Sequence, residues 1–280
     1  LKPQQNIVTS EILSGAVWHQ VIRLGFNAEV MQWPAIPALY CSIFQKGPFQ
    51  LALLNFPTGL MSADSWTPPL QALLTRELQT RGVQVLRLAF PDQGVRFYAD
   101  DVLLPVTQIQ NLQDWSLQQL DQDIRYKIRK SQRMGLVVRA AAPADDQCIF
   151  QLYCNAVKRH SGNLRYTQQY FIELLRMAQQ QPEMQVLIAE TPSAGPCGFI
   201  AVVHDGKFSH YLHGGFSAQH AALRPGYVLM SQAIETAQRR GAEVFDLMAS
   251  PAEQQPLIRF KEKWGGTTYL QRTVTFPLGW

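Results

Sequence analysis

The sequence predicts an α/β (α+β) protein of two similar lobes, each a mixed, mainly antiparallel sheet flanked by helices, and three observations carry this. Amphipathic helical stretches alternate with short apolar runs rich in β-forming residues. An apolar helix, a glycine and a strand follow one another in that order once in each half. The 280 residues, 46% of them hydrophobic, can build two medium cores.

In the first half a helix is expected from Glu11 to Leu24, then short segments at Met31–Trp33 and Ala38–Phe44 and a strand at Leu51–Asn55. TPPLQALLTRELQTRG, residues 67–82, sets Leu70, Leu73, Leu74 and Leu78 on one helical face and stops at Gly82. VQVLRLAF then reads as a strand, and DVLLPV starts another after a PDQG loop.

The connection DWSLQQLDQDIRYKIRKSQRMG, residues 114–135, joins a helix to the most basic run in the chain. Ile124, Ile128 and, as a third candidate, Met134 can face protein, while Arg125, Lys127, Arg129, Lys130 and Arg133 form cationic edges. Two readings stand side by side: a solvated face at a domain junction, and a site for a phosphate or another anion. The absence of an aromatic ladder argues against sequence-specific RNA binding here.

After the strand LVVRAA, helices are expected over Asp145–His160 and Thr167–Ala178, then strands at Met184–Glu190 and Gly198–His204. Asp205-Gly206 turns the chain into Lys207–Leu212 as an antiparallel hairpin. Pro225-Gly226 launches a long helix that Gly241 closes before the strand VFDLMAS; the short helix of PLIRFKEKWGG and the strand TTYLQRTVTF end the chain. The lobes are placed at residues 1–122 and 123–280.

Composition narrows the function classes only slightly. A net charge of +4 favours an anionic ligand without requiring nucleic acid. Cys41, Cys148, Cys154 and Cys197 form no C-x-x-C pair and read as reduced structural thiols, and no histidine spacing suits a metal. No apolar run reaches the roughly 20 residues that cross a bilayer, and no signal-like segment opens the chain, so a cytoplasmic protein is expected. The first residue is Leu1 and not methionine, which leaves the natural start open.

Three segments, RYKIRKSQRMG (125–135), LRPGYVLMSQAIETAQRRGAEVFDLMAS (223–250) and RFKEKWGG (259–266), resemble the FemAB-like branch of the GNAT acyltransferase superfamily. The resemblance covers the second half well and the first half mainly through lobe order. It implies tandem GNAT-like lobes, the N-terminal one divergent. It also implies transfer of an acyl or aminoacyl group to an amine, with acyl-CoA or aminoacyl-tRNA as donor, no metal, and a small molecule, peptide or cell-wall precursor as acceptor. Fem-type relatives draw on tRNA; this chain lacks their long coiled-coil insertion, and its LRPGYV turn lacks the complete glycine-rich sequence of the usual acetyl-CoA loop.

Candidate residues follow, each with a plainer alternative. Arg224 and Gly226 join a cation to the start of a helix, where free N–H groups hold anions; capping alone also explains Pro225 and Gly226. Lys261 lies in the family-like RFK element with Phe260 as its aromatic anchor, suited to a phosphate or to charge developing on an attacked carbonyl, or else simply exposed. Arg129, from the basic segment, is a donor- or acceptor-binding candidate, or half of an ion pair. Tyr211 and His213, two apart on a strand, are expected on one face as an acid–base pair for direct transfer. Asp246 is expected buried and supporting. A catalytically degenerate ligand-binding or assembly protein is the alternative to an enzyme.

Overall fold

The computed structural model describes residues 11–33, 36, 39–92, 94, 101–159 and 162–279. The starts and ends expected at Ala38 and His160 lie outside the described residues. The chain gathers into two compact units, one of Leu1–Thr107, Ala249–Ile258 and Thr268–Trp280, the other of Gln108–Met248 and Arg259–Thr267.

The first unit opens with α1 (Ala16–Phe26), which buries Trp18, Val21 and Ile22. It begins later than the periodicity of Glu11–Leu24 suggests, because Gly15 bonds back to Ile12 in a turn and takes extended backbone. β1 (Glu29–Gln32), β2 (Tyr40–Lys46) and β3 (Phe49–Leu54) pair antiparallel in succession. Helix α2 (Pro68–Gln79) then crosses over to β4 (Val85–Pro91), which runs parallel to β3 from Leu51↔Val85. Leu70, Leu74 and Leu78 of α2 pack with Trp66, Leu86 and Leu88 in one core, as the leucine spacing predicts. β5 (Val102–Ile109) carries the chain into the second unit.

There α3 (Gln122–Arg133) is followed by β6 (Val137–Ala140), α4 (Asp146–Arg159), α5 (Gln168–Gln180), β7 (Met184–Thr191), β8 (Gly195–Asp205) and β9 (Phe208–Phe216). β6 to β9 form an antiparallel meander. Helix α6 (Pro225–Arg239) crosses over to β10 (Val244–Ala249), parallel to β9. Each unit therefore holds the same strand–helix–parallel strand crossover, which is the helix–glycine–strand correspondence in the sequence made physical. Successive residues of β8 touch different helices: Gly198 lies against Pro225 and Leu229 of α6, and Phe199 meets Phe171 of α5. The larger core lies on the α6 side, where Ile124 and Ile128 of α3 join Leu229, Ala233, Ile200 and Trp264.

After α7 (Gln255–Glu262) the last strand, β11 (Thr267–Pro277), pairs antiparallel with β4 from Gln271↔Pro91 to Pro277↔Val85. That ladder returns the end of the chain to the first unit. The units are thus discontinuous in sequence, unlike the contiguous division at 122/123.

Gly215 sets a tight approach of β9 to α4. A Cβ there would stand 2.8 Å from the Leu152 carbonyl oxygen and 3.1 Å from the Phe199 ring. Gly215→Ala is expected to lower unfolding stability by about 1–3 kcal/mol through overpacking. Gly226→Ala, whose Cβ would meet only Phe216 at 4.0 Å, is expected to change it by less than ~0.5 kcal/mol. Urea unfolding of the two variants side by side checks the contrast.

Candidate active site

The ladder between β9 and β10 consists of Val244↔Phe208, Phe245↔Ser209 and Asp246↔His210, although β9 runs on to Phe216 and β10 to Ala249. At the end of this ladder, polar side chains from four elements, β5, β9, β10 and α7, meet inside an apolar unit.

Asp246 is buried, and its Oδ1 accepts the N–H of Met248 two residues on, at 2.7 Å. A carboxylate bonding its own chain in this way draws the backbone out of extended geometry. Met248 accordingly sits at φ 61°, a left-handed conformation that is uncommon for a residue with a Cβ. The Met248 carbonyl is thereby available to Lys261, whose Nζ donates to it at 2.9 Å. On the other side of the carboxylate, Gln108 Nε2 donates to Asp246 Oδ2 at 3.3 Å.

Lys261 is 4% exposed. Burial pulls its ammonium down to about 8, and the nearby Asp246 carboxylate opposes the fall. The local sequence explains how a charge comes to be buried here. Phe260 stands edge-on to Tyr227 at 5.6 Å and to Trp264 at 6.2 Å, and the Trp264 carbonyl accepts Trp115 Nε1 at 2.9 Å. This aromatic packing anchors the Arg259–Lys263 stretch and points the neighbouring lysine inward.

His210 is also buried, and its Nδ1 lies 3.6 Å from Asp246 Oδ2, beyond hydrogen-bond length. Neither ring nitrogen has a hydrogen-bond partner among the described residues, while the ring stacks on Phe208 at 6.2 Å. A buried imidazole without a partner costs free energy unless something else uses it. The chemistry on offer is a buried cation, a fixed carboxylate and an imidazole with open nitrogens.

Among the residues named from sequence, Lys261 and Asp246 come together here and Phe260 braces them. Tyr211 and His213 do not. Val202 of β8 faces Tyr211 and the next residue, Ala201, faces His213, so Leu212 is an inserted residue that reverses the alternation. Tyr211 packs against the α6-side core, with its hydroxyl over Gly214. His213 lies among Tyr153, Tyr166 and Phe171 of the α4–α5 side, with Nε2 2.8 Å from the Tyr170 hydroxyl. Burial pulls His213 down to about 3 and pushes Tyr211 up to about 12. The expected single-face pair is thus divided between two faces by one extra residue. Arg224 is exposed at φ 54° as the residue before α6, and its carbonyl accepts the N–H of Tyr227 at 3.1 Å. Gly226 is the second residue of that helix. Arg129 is exposed on the outer face of α3. Sequence reasoning passed over His210 and Gln108; only their alternation with apolar neighbours on a strand pointed to burial.

Similar frames occur in solved structures. FemX aligns over 96% of each chain with a TM-score of 0.64 at 12% identity. L-PGS from Bacillus licheniformis aligns over 99% of this chain and 95% of that one, with a TM-score of 0.62 at 10% identity. A tandem GNAT protein from the clavulanic acid biosynthesis pathway aligns over 86% and 78%, with a TM-score of 0.56 at 11% identity. At such identities these likenesses establish the fold alone, that of tandem GNAT-like lobes. Residues 118–262 match the family model described as acetyltransferase (GNAT) domain, and the chain belongs to that family. Acyl transfer is therefore its general activity class. No curated protein matches the chain in sequence.

Proposed function

We propose that the second unit transfers an acyl or aminoacyl group to an amine, with Lys261 supplying the positive charge at the reacting carbonyl. The observation that carries this reading is a lysine 4% exposed and anchored by Met248 at the end of the β9–β10 ladder. A cation in so dry a setting acts on developing charge more strongly than one in water.

In the proposed reaction the amine nitrogen attacks the donor carbonyl carbon. Negative charge gathers on the carbonyl oxygen, facing Lys261. Collapse forms the amide and breaks the thioester or ester bond, and the proton lost by the amine ends on the departing sulfur or oxygen. His210, with open ring nitrogens and Asp246 beside Nδ1, relays that proton. The side of β9 facing β10, where the ladder stops at His210, receives the extended arm of the donor as an added strand would. Arg224 and Gly226 at the start of α6 hold its phosphate.

Acyl-CoA and aminoacyl-tRNA remain the two donor classes, and both are made in the cytoplasm, where we place the reaction. The FemAB-like resemblance of the sequence implies a peptide amine of a cell-wall precursor as acceptor. With Lys261 at about 8, roughly nine-tenths of it is charged at pH 7, and the charge is lost as pH rises through 8. kcat/KM is expected to fall above that point. Lys261→Arg, which stays charged, is expected to remove that limb from whatever activity it keeps. An unchanged limb in the arginine variant would assign it to another group.

A further inference from the structure

Helix α3 carries a surface that the transfer reading leaves unused. Arg129, Lys130 and Arg133 are exposed on one side of it, and none has an acidic partner among the described residues. Lys127, by contrast, is tied to Asp123 at 2.5 Å. Tyr126, one turn before Arg129 and Lys130, is 49% exposed, and with Arg129, Gln132 and Arg133 it lines a shallow groove of about 660 Å³. Two more apolar side chains follow in the chain just beyond the helix, Met134 at 43% and Val137 at 54% exposed. Of the seven large hydrophobic residues exposed among the described ones, three therefore fall within residues 126–137, interleaved with unpaired cations.

This combination separates the possible partners. A merely solvated face scatters its exposed apolar side chains singly, whereas three of them fall here within twelve residues, beside three cations without acidic partners among the described residues. Single-stranded nucleic acid would use the cations, but it gains from aromatic platforms and not from aliphatic ones, and only one tyrosine is present. An anionic bilayer uses all of them: lysine and arginine meet the headgroup charge, tyrosine sits at headgroup depth, and the aliphatic groups enter the acyl boundary. No described helix is long and apolar enough to cross a membrane, so the contact is peripheral. We infer that the surface formed by α3 and the start of β6 docks this protein on an anionic membrane.

Co-sedimentation with vesicles of phosphatidylcholine alone, and with vesicles containing phosphatidylglycerol, tests this. The protein is expected to bind the anionic vesicles only, and less so at high salt. Each basic residue near such a surface is worth roughly a five-fold change in partitioning, so R129Q/K130Q/R133Q is expected to lose on the order of 100-fold. Tyr126→Ser with Met134→Gln is expected to weaken binding at unchanged charge. K46Q/R76Q/K158Q, which removes three exposed cations elsewhere, keeps most of the binding. All variants are compared at matched thermal stability. Failure to bind anionic vesicles, equal loss in the two charge variants, or full binding by the α3 variant would each overturn the inference. So would α3-dependent capture of bulk tRNA without vesicle binding.

Discussion

Lys261→Met is expected to lower kcat/KM for acyl transfer by roughly 100- to 1,000-fold, the usual loss when one preorganised donor to developing negative charge is removed. Methionine matches lysine in length and keeps the buried stem packed beside Phe260. Asp246 retains its bonds from the Met248 N–H and Gln108, so the carboxylate is not stranded. The fold is therefore expected to persist, with a stability change of about 1 kcal/mol or less, since a buried charge swapped for an apolar isostere is often near neutral. The loss should fall on kcat more than on KM, because the charge it answers appears only in the transition state. A variant that is folded and as active as the parent would remove Lys261 from the reaction.

The second large effect is on stability in acid. His213 is held at about 3 and His204 at about 4, both by burial, against an ordinary value near 6.5. Both groups stay neutral in the folded chain while the unfolded chain takes up protons. The stability they contribute is fully present above about 6.5 and falls as pH drops toward their folded values. Together they are worth on the order of several kcal/mol over that window. His213→Gln keeps a partner for the Tyr170 hydroxyl but cannot take the charge. Urea midpoints measured from pH 7 down to pH 4 should fall more steeply for the parent than for this variant. Equal slopes would mean that His213 is not held neutral by burial.

Much of the fold was legible because periodicity reports which face of an element meets a core. The leucines of residues 67–82 and the β-forming run that follows placed α2 and β4, and the matching run at 223–250 placed α6 and β10. Strand order was not legible at the end of the chain. The segment at residues 267–276 reads as a strand by alternation, yet nothing local says that its partner is β4, almost two hundred residues earlier.

The site divides in the same way. Asp246 stood out as a carboxylate inside an apolar strand, which demands a partner, whereas Lys261 was singled out by the family-like RFK element. Tyr211 and His213 were paired by counting residues, and the inserted Leu212 defeats any such count. A bulge of one ordinary residue leaves no mark on composition. The left-handed turn at Met248 had no mark at all, since glycine or asparagine usually signals that conformation.

The central claim is transfer to an amine by the second unit, and product analysis tests it most directly. Purified protein would be incubated with a panel of acyl-CoAs or aminoacyl-tRNAs and amine acceptors, including cell-wall precursor peptides, and the acceptors weighed by mass spectrometry. The account predicts an acceptor heavier by one acyl or aminoacyl group, formed with one donor class by the parent and lost in Lys261→Met. A folded protein that modifies no acceptor with either donor class, or a Lys261→Met variant that forms the product as fast as the parent, would contradict it.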